Sequence, residues 1–155
     1  MAAAGAAPCS LAVPRGTTVI GFDYGERYTG VAIGDTGAGM AHPLGTIEAR
    51  TSETRLAAIA RLVAEWQPDR LVVGLPLSLE GEAHGLTRRA RAFAHELQRR
   101  FRLTVDLVDE RLSSADAASR LRALGRGGRK HKGLVHPVAA QLILQGYLDE
   151  RNRTA

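Results

Sequence analysis

Apolar positions along this chain fall alternately into short runs and into stripes spaced by three and four. Thr17-Thr18-Val19-Ile20-Gly21-Phe22-Asp23 is a run closed by an acid, and Gly30-Val31-Ala32-Ile33-Gly34 is a second. Both read as strands, with a weaker third from Pro43 to Glu48, and the glycines between the first two predict a tight hairpin. Ser52 is a plausible cap for a helix that places Leu56, Ile59, Ala60, Val63 and Trp66 on one face and stops at Pro68. Arg70-Leu71-Val72-Val73-Gly74 then follows directly, too short for a helix and apolar enough for a buried strand. A strand reached through a helix is a crossover into parallel pairing. Beyond the loop from Leu75 to Gly85, the pattern repeats, with Leu86, Ala90, Phe93, Ala94 and Leu97 on a helix before a strand from Thr104 to Val108. Ser113 or Ser114 can cap a further helix to Leu124, with Gly125 just past its end, and a final helix begins near Pro137. The expected fold is α/β: a mixed five-stranded sheet, its first three strands antiparallel and the rest joined by parallel crossovers, with helices on both faces.

Composition limits what such a fold can do. At 155 residues and 16.6 kDa the chain makes one domain, able to bury roughly two-thirds of its unfolded surface. With 45% hydrophobic and 24% charged residues, disorder and fibrous repeats are excluded. Residues 1–16, rich in Ala and Gly, read as a disordered extension, residues 17–149 as the domain and 150–155 as a short tail. The leader has neither a basic start nor a continuous apolar core, and no apolar run reaches the roughly 18 residues that span a membrane. The lone Cys9 forms no internal disulfide. A cytoplasmic protein without a membrane partner fits these features.

Net charge is +5, and its placement matters more than its size. From Arg88 to Lys132 there are thirteen Lys/Arg against five Asp/Glu, or +8, while the rest of the chain holds eight against eleven, or −3. The balance suggests an anionic partner, with the basic surface that meets it expected in that segment, or else a solvated basic face. Within it, Gly125-Arg126-Gly127-Gly128-Arg129-Lys130-His131-Lys132-Gly133 is either a phosphate-binding segment or a solvated flexible connector.

Asp23 closes the first strand, at the carboxyl end where sheets with crossovers place functional groups, although Asp before Tyr24-Gly25 also suits a simple turn. Glu110 follows the strand Thr104 to Val108, with Asp106 and Asp109 as competitors. Two such carboxylates at strand ends are suited to holding Mg²⁺ or Mn²⁺ against a phosphodiester.

Four segments resemble the YqgF/RuvX family, nucleases of ribonuclease H-like fold related to RuvC Holliday-junction resolvases. They are Ile20-Gly21-Phe22-Asp23-Tyr24-Gly25 with Gly30-Val31-Ala32; Val72-Val73-Gly74-Leu75-Pro76-Leu77 with Gly81; Asp109-Glu110-Arg111-Leu112-Ser113; and Val138-Ala139-Ala140 through Ile143-Leu144-Gln145 to Tyr147-Leu148. Their order and spacing over about residues 17 to 149 make the match specific. The resemblance implies a ribonuclease H-like nuclease domain that cleaves nucleic acid with a divalent metal, in maturation of the 5′ end of pre-16S rRNA. Asp23 and Glu110 match the first two catalytic acids. Arg111 is then available for phosphate or for an ion pair with Asp109 or Glu110, and Arg126, Arg129, Lys130 and Lys132 form the basic surface. The implied partners are structured pre-rRNA or branched DNA, with ribosomal precursor particles, for a monomer or weak homodimer.

One position departs from the family pattern. Where that pattern has a third acid at the start of the last helix, this chain has His136. Asp149 lies thirteen residues further on, roughly 20 Å along a helix, and cannot substitute. A neutral imidazole removes one negative charge and favours Mn²⁺, Co²⁺ or Zn²⁺ over Mg²⁺. His136 is thus a metal ligand or general base in an active enzyme, a remnant in a decayed site on a protein that only binds RNA, or an ordinary histidine at a helix start. A Holliday junction resolvase is the remaining alternative. The Asp-Tyr-Gly segment also resembles the first phosphate motif of actin-like ATPases, but 155 residues leave no room for their duplicated domain, and no Walker-type sequence is present.

Overall fold

The computed structural model describes residues 17–75, 85–109 and 135–154. In chain order these form β1 (Thr18–Asp23), β2 (Tyr28–Asp35), β3 (Met40–Glu48), α1 (Ser52–Trp66), β4 (Arg70–Leu75), α2 (Gly85–Phe101), β5 (Thr104–Asp109) and α3 (Val135–Thr154). The strands make one sheet of order β3-β2-β1-β4-β5. β1, β2 and β3 pair antiparallel, and β4 joins β1 and β5 in parallel. This is the expected topology. The expected helix from Ser113 or Ser114 to Leu124 lies outside the described residues.

Alternation along the central strands sends each residue to one of two cores. Ile20, Phe22, Val31, Leu71 and Val73 pack against Leu56 and Ile59 of α1 and Ala90, Phe93 and Leu97 of α2. Val19, Ala32, Ala41 and Val72 pack against Ala140, Ile143, Leu144 and Leu148 of α3. Two details of α1 differ from expectation. Its cap is Thr51, whose Oγ1 accepts from the Thr54 amide at 3.1 Å, one residue before the expected Ser52. Trp66 is 40% exposed, because α1 ends there and Gln67 turns left-handed at φ +46° ahead of Pro68. The residue that takes the buried place on α1 is a cation, Arg55, at 4% exposure.

Edge strand β3 tolerates Pro43 because the pairing with β2 shifts register there, between Val31 and Ala32. Two glutamines of α3 hold this hairpin. Gln145 accepts from the Ala41 amide at 2.9 Å and donates to the Gly39 carbonyl at 2.8 Å, and Gln141 donates to the Ala41 carbonyl at 3.0 Å. At the opposite edge, Asp106 of β5 accepts from Arg70 at 2.9 Å and from Tyr147 of α3 at 2.6 Å.

Burial, and then the hydrogen bond to Asp106, raise the Tyr147 pKa above the ordinary tyrosine value. A raised folded value means that the folded state retains its proton longer. The stabilisation is present below the ordinary tyrosine pKa and is lost as pH rises through the folded one. Ultraviolet difference titration of wild type against Tyr147→Phe is expected to show one phenol ionising later than free tyrosine, and the variant's stability is expected to fall less at alkaline pH.

Candidate active site

The parallel strands β1, β4 and β5 end at one edge of the sheet, and their terminal residues include Asp23 and Asp109. Asp23 pairs with Gly30, and Asp109 pairs with Leu75. Side-chain parity assigns Asp23 to a face: Val19 packs toward α3, so Gly21 and Asp23, two and four residues on, share that side. Gly21 meets Leu144 of α3, as this parity requires. Asp23 is half-buried there.

α3 enters at the same place. A Cβ on Gly30 would lie 2.0 Å from the carbonyl oxygen of His136, so the first turn of α3 rests directly on the backbone of the residue paired with Asp23. Only glycine permits that approach. Gly25 performs a similar role in the turn before β2, where a Cβ would lie 2.2 Å from the Tyr28 carbonyl oxygen. The helix terminus brings a partial positive charge, and its first turn contains no acid.

The His136 ring stacks on Tyr28, centroids 5.3 Å apart and planes at 20°. Arg27 also lies over Tyr28, at 5.2 Å, and pairs with Glu48 at 3.1 Å. Partial burial lowers the His136 pKa, so the imidazole is neutral at neutral pH. A neutral ring has a lone pair available to a cation or proton, which suits both chemical roles considered for it.

The structure thus brings Asp23 and His136 to one end and one face of the sheet. Glu110, Arg111, Arg126, Arg129, Lys130 and Lys132 lie outside the described residues. Among the described residues, no group of three His, Cys, Asp or Glu side chains is placed to hold a metal ion. Asp149, set aside on distance, accepts from Gln145 at 3.0 Å. Sequence reasoning missed Tyr28, which has no helix or strand periodicity to mark it, and Arg55, whose charge argues against burial. The last-helix signature proves structural in large part: Ile143, Leu144 and Leu148 are core, and Gln145 and Tyr147 fasten α3 to the sheet edges.

A sequence profile of the RuvX family, described as Holliday junction resolvase, matches residues 17–150. The chain belongs to the RuvX family. Among curated relatives, a protein of Methylobacillus flagellatus named "Putative pre-16S rRNA nuclease" is 56% identical over 131 residues, covering 84% of this chain and 90% of the relative. One of the same name from Nitrosospira multiformis is 49% identical over 141 residues, covering 91% and 93%. Thermus thermophilus RuvC in complex with a Holliday junction substrate superposes with a TM-score of 0.56 at 18% identity, covering 90% of this chain and 98% of RuvC. The fowlpox virus Holliday junction resolvase gives 0.55 at 11% identity, covering 86% and 99%. The RuvX chain therefore has the ribonuclease H-like fold of these resolvases. No described helix is long and apolar enough to cross a membrane.

Proposed function

We propose that this RuvX protein is a divalent-metal-dependent nuclease that hydrolyses phosphodiester bonds in the 5′ leader of pre-16S rRNA, in the cytoplasm, with Asp23, Glu110 and His136 as its catalytic and metal-binding residues. The observation that carries the reading is the meeting of Asp23 and the first turn of α3 across Gly30. The names of the close relatives support the substrate.

The donor set, two carboxylates and one neutral imidazole, fits a borderline cation such as Mn²⁺ better than Mg²⁺. Bound there, the metal would lower the pKa of water and stabilise charge on the phosphodiester oxygens. The chain's own part is to orient. Asp23 is fixed by its place at the end of β1, and Tyr28 holds the plane of the His136 ring. The amino end of α3 favours the approach of an anionic backbone, and Arg111 with Arg126, Arg129, Lys130 and Lys132 supplies further phosphate contacts.

The test is cleavage of a structured RNA carrying the precursor 5′ end, beside a four-way DNA junction, with Mg²⁺ or Mn²⁺. Cleavage of the RNA, faster with Mn²⁺ and absent under chelation, is expected. His136→Asp is expected to move the preference toward Mg²⁺, because it restores an oxygen ligand and one negative charge. Retained RNA binding with no cleavage by either protein would leave a non-catalytic assembly factor as the function. Preferential cutting of the junction would make the protein a resolvase.

A further inference from the structure

A second site opens on the opposite face of the same sheet end. Asp23 faces α3, but the next residue, Tyr24, turns toward α2 and packs its ring on Phe93, centroids 4.9 Å apart. Beside it, between α1 and α2, is a cavity of about 220 Å³ lined by Tyr24, Ser52, Arg55, Arg89, Phe93 and Glu96 among others.

Arg55 is the anomaly in this cavity. It is 96% buried, yet among the described residues it pairs with no carboxylate. Among the described residues, its hydrogen bonds leave through Nη2, to the carbonyl oxygens of Glu26 at 2.6 Å and Ala49 at 3.2 Å. Nε is buried with no hydrogen-bond partner among the described residues. The remaining attraction is to the Tyr24 ring, 5.0 Å from the guanidinium. Neutral carbonyls and a ring orient a buried cation without neutralising it, and buried charges are ordinarily paired. The other charged groups at the cavity do not supply the counter-ion. Glu96 is paired with Arg99 at 3.6 Å, and Arg89, more than half exposed, is paired with Glu26. Ser52, in the first turn of α1, adds a hydroxyl to the lining.

We propose that this cavity is a phosphate subsite, in which Arg55 and Arg89 hold a backbone phosphate of the nucleic acid on the far side of β1 from Asp23. A buried guanidinium without a carboxylate partner among the described residues, and a second arginine at the rim, supply the positive charge that a phosphodiester needs. A strand crossing the end of β1 meets the Asp23 carboxylate on one face and this cavity on the other. The source of the phosphate rests on the nuclease reading; the anion site itself does not.

The test reads the Nε–H resonance of Arg55 in the full ¹⁵N-labelled chain, assigned through its own backbone. Inorganic phosphate is expected to shift that resonance saturably, and Arg89→Gln to weaken the apparent affinity about two- to fivefold. An RNA hairpin is expected to move the same resonance and to compete with phosphate. If neither probe moves it, there is no anion site. If phosphate saturates it and RNA leaves it unmoved, the cavity serves a free anion and the subsite is refuted. Because the readout is independent of cleavage, an inactive enzyme that shows both shifts would retain this site while overturning the nuclease, and an active one that shows neither would do the reverse.

Discussion

Asp23→Asn is expected to abolish cleavage while leaving the fold intact. The substitution keeps the shape of the side chain at the end of β1 and removes the charge that would hold a cation. Loss of a residue that merely orients a metal ligand typically lowers activity 10- to 100-fold, so loss of a ligand itself is expected to cost at least about 100-fold in rate. Strand β1 is anchored by Val19, Ile20 and Phe22, all fully buried. Single-turnover cleavage with Mn²⁺, together with circular dichroism of the same preparation, checks the two halves of the expectation. An unchanged rate after repurification would place the catalytic centre elsewhere.

Gly30→Ala is expected to produce the largest loss of stability of any single methyl group added to this sheet. The new Cβ would collide with a backbone carbonyl, that of His136, and a carbonyl in a helix cannot rotate away as a flexible side chain can. Relief requires α3 to lift from β2, opening the contacts of Ala140, Ile143 and Leu144 with Val19 and Ala32. Overpacking of cores ordinarily costs 1–3 kcal/mol, and the upper end, about 3 kcal/mol, is expected here because backbone meets backbone. For a chain of this size that lowers the melting temperature by roughly 10 °C. The same movement takes His136 away from Asp23, so activity is expected to fall further than the unfolded fraction alone explains. Thermal unfolding and cleavage measured on the same variant separate the two losses.

The sheet was legible because its strands are short continuous apolar runs bounded by glycine, proline and acids, and because a helix between two such runs leaves little choice but a parallel crossover. Asp23 was legible for the same reason: the apolar run stops at it. Boundaries were less so. Met40, Ala41 and His42 extend β3 through hydrogen bonds to β2 and to Gln145, partners that no local pattern reveals. Arg55 was hidden because a buried arginine in an apolar stripe looks like an exposed one next to it. The stacking of His136 on Tyr28 joins residues more than a hundred positions apart, and the role of His136 rested on the family pattern rather than on its surroundings.

The clasp of Gln145 on the β2–β3 hairpin carries a consequence for how this protein is made. The amide of Ala41 waits for a partner 104 residues later in the chain, and among the described residues the helix that covers the apolar face formed by Val19, Ala32 and Ala41 is α3. At synthesis rates of about 5–20 residues per second, that interval is on the order of 5–20 s in each nascent chain. Such exposed sheet surface is where nascent-chain chaperones bind and where premature association begins, so the interval before α3 emerges is the vulnerable stage in the life of this small domain.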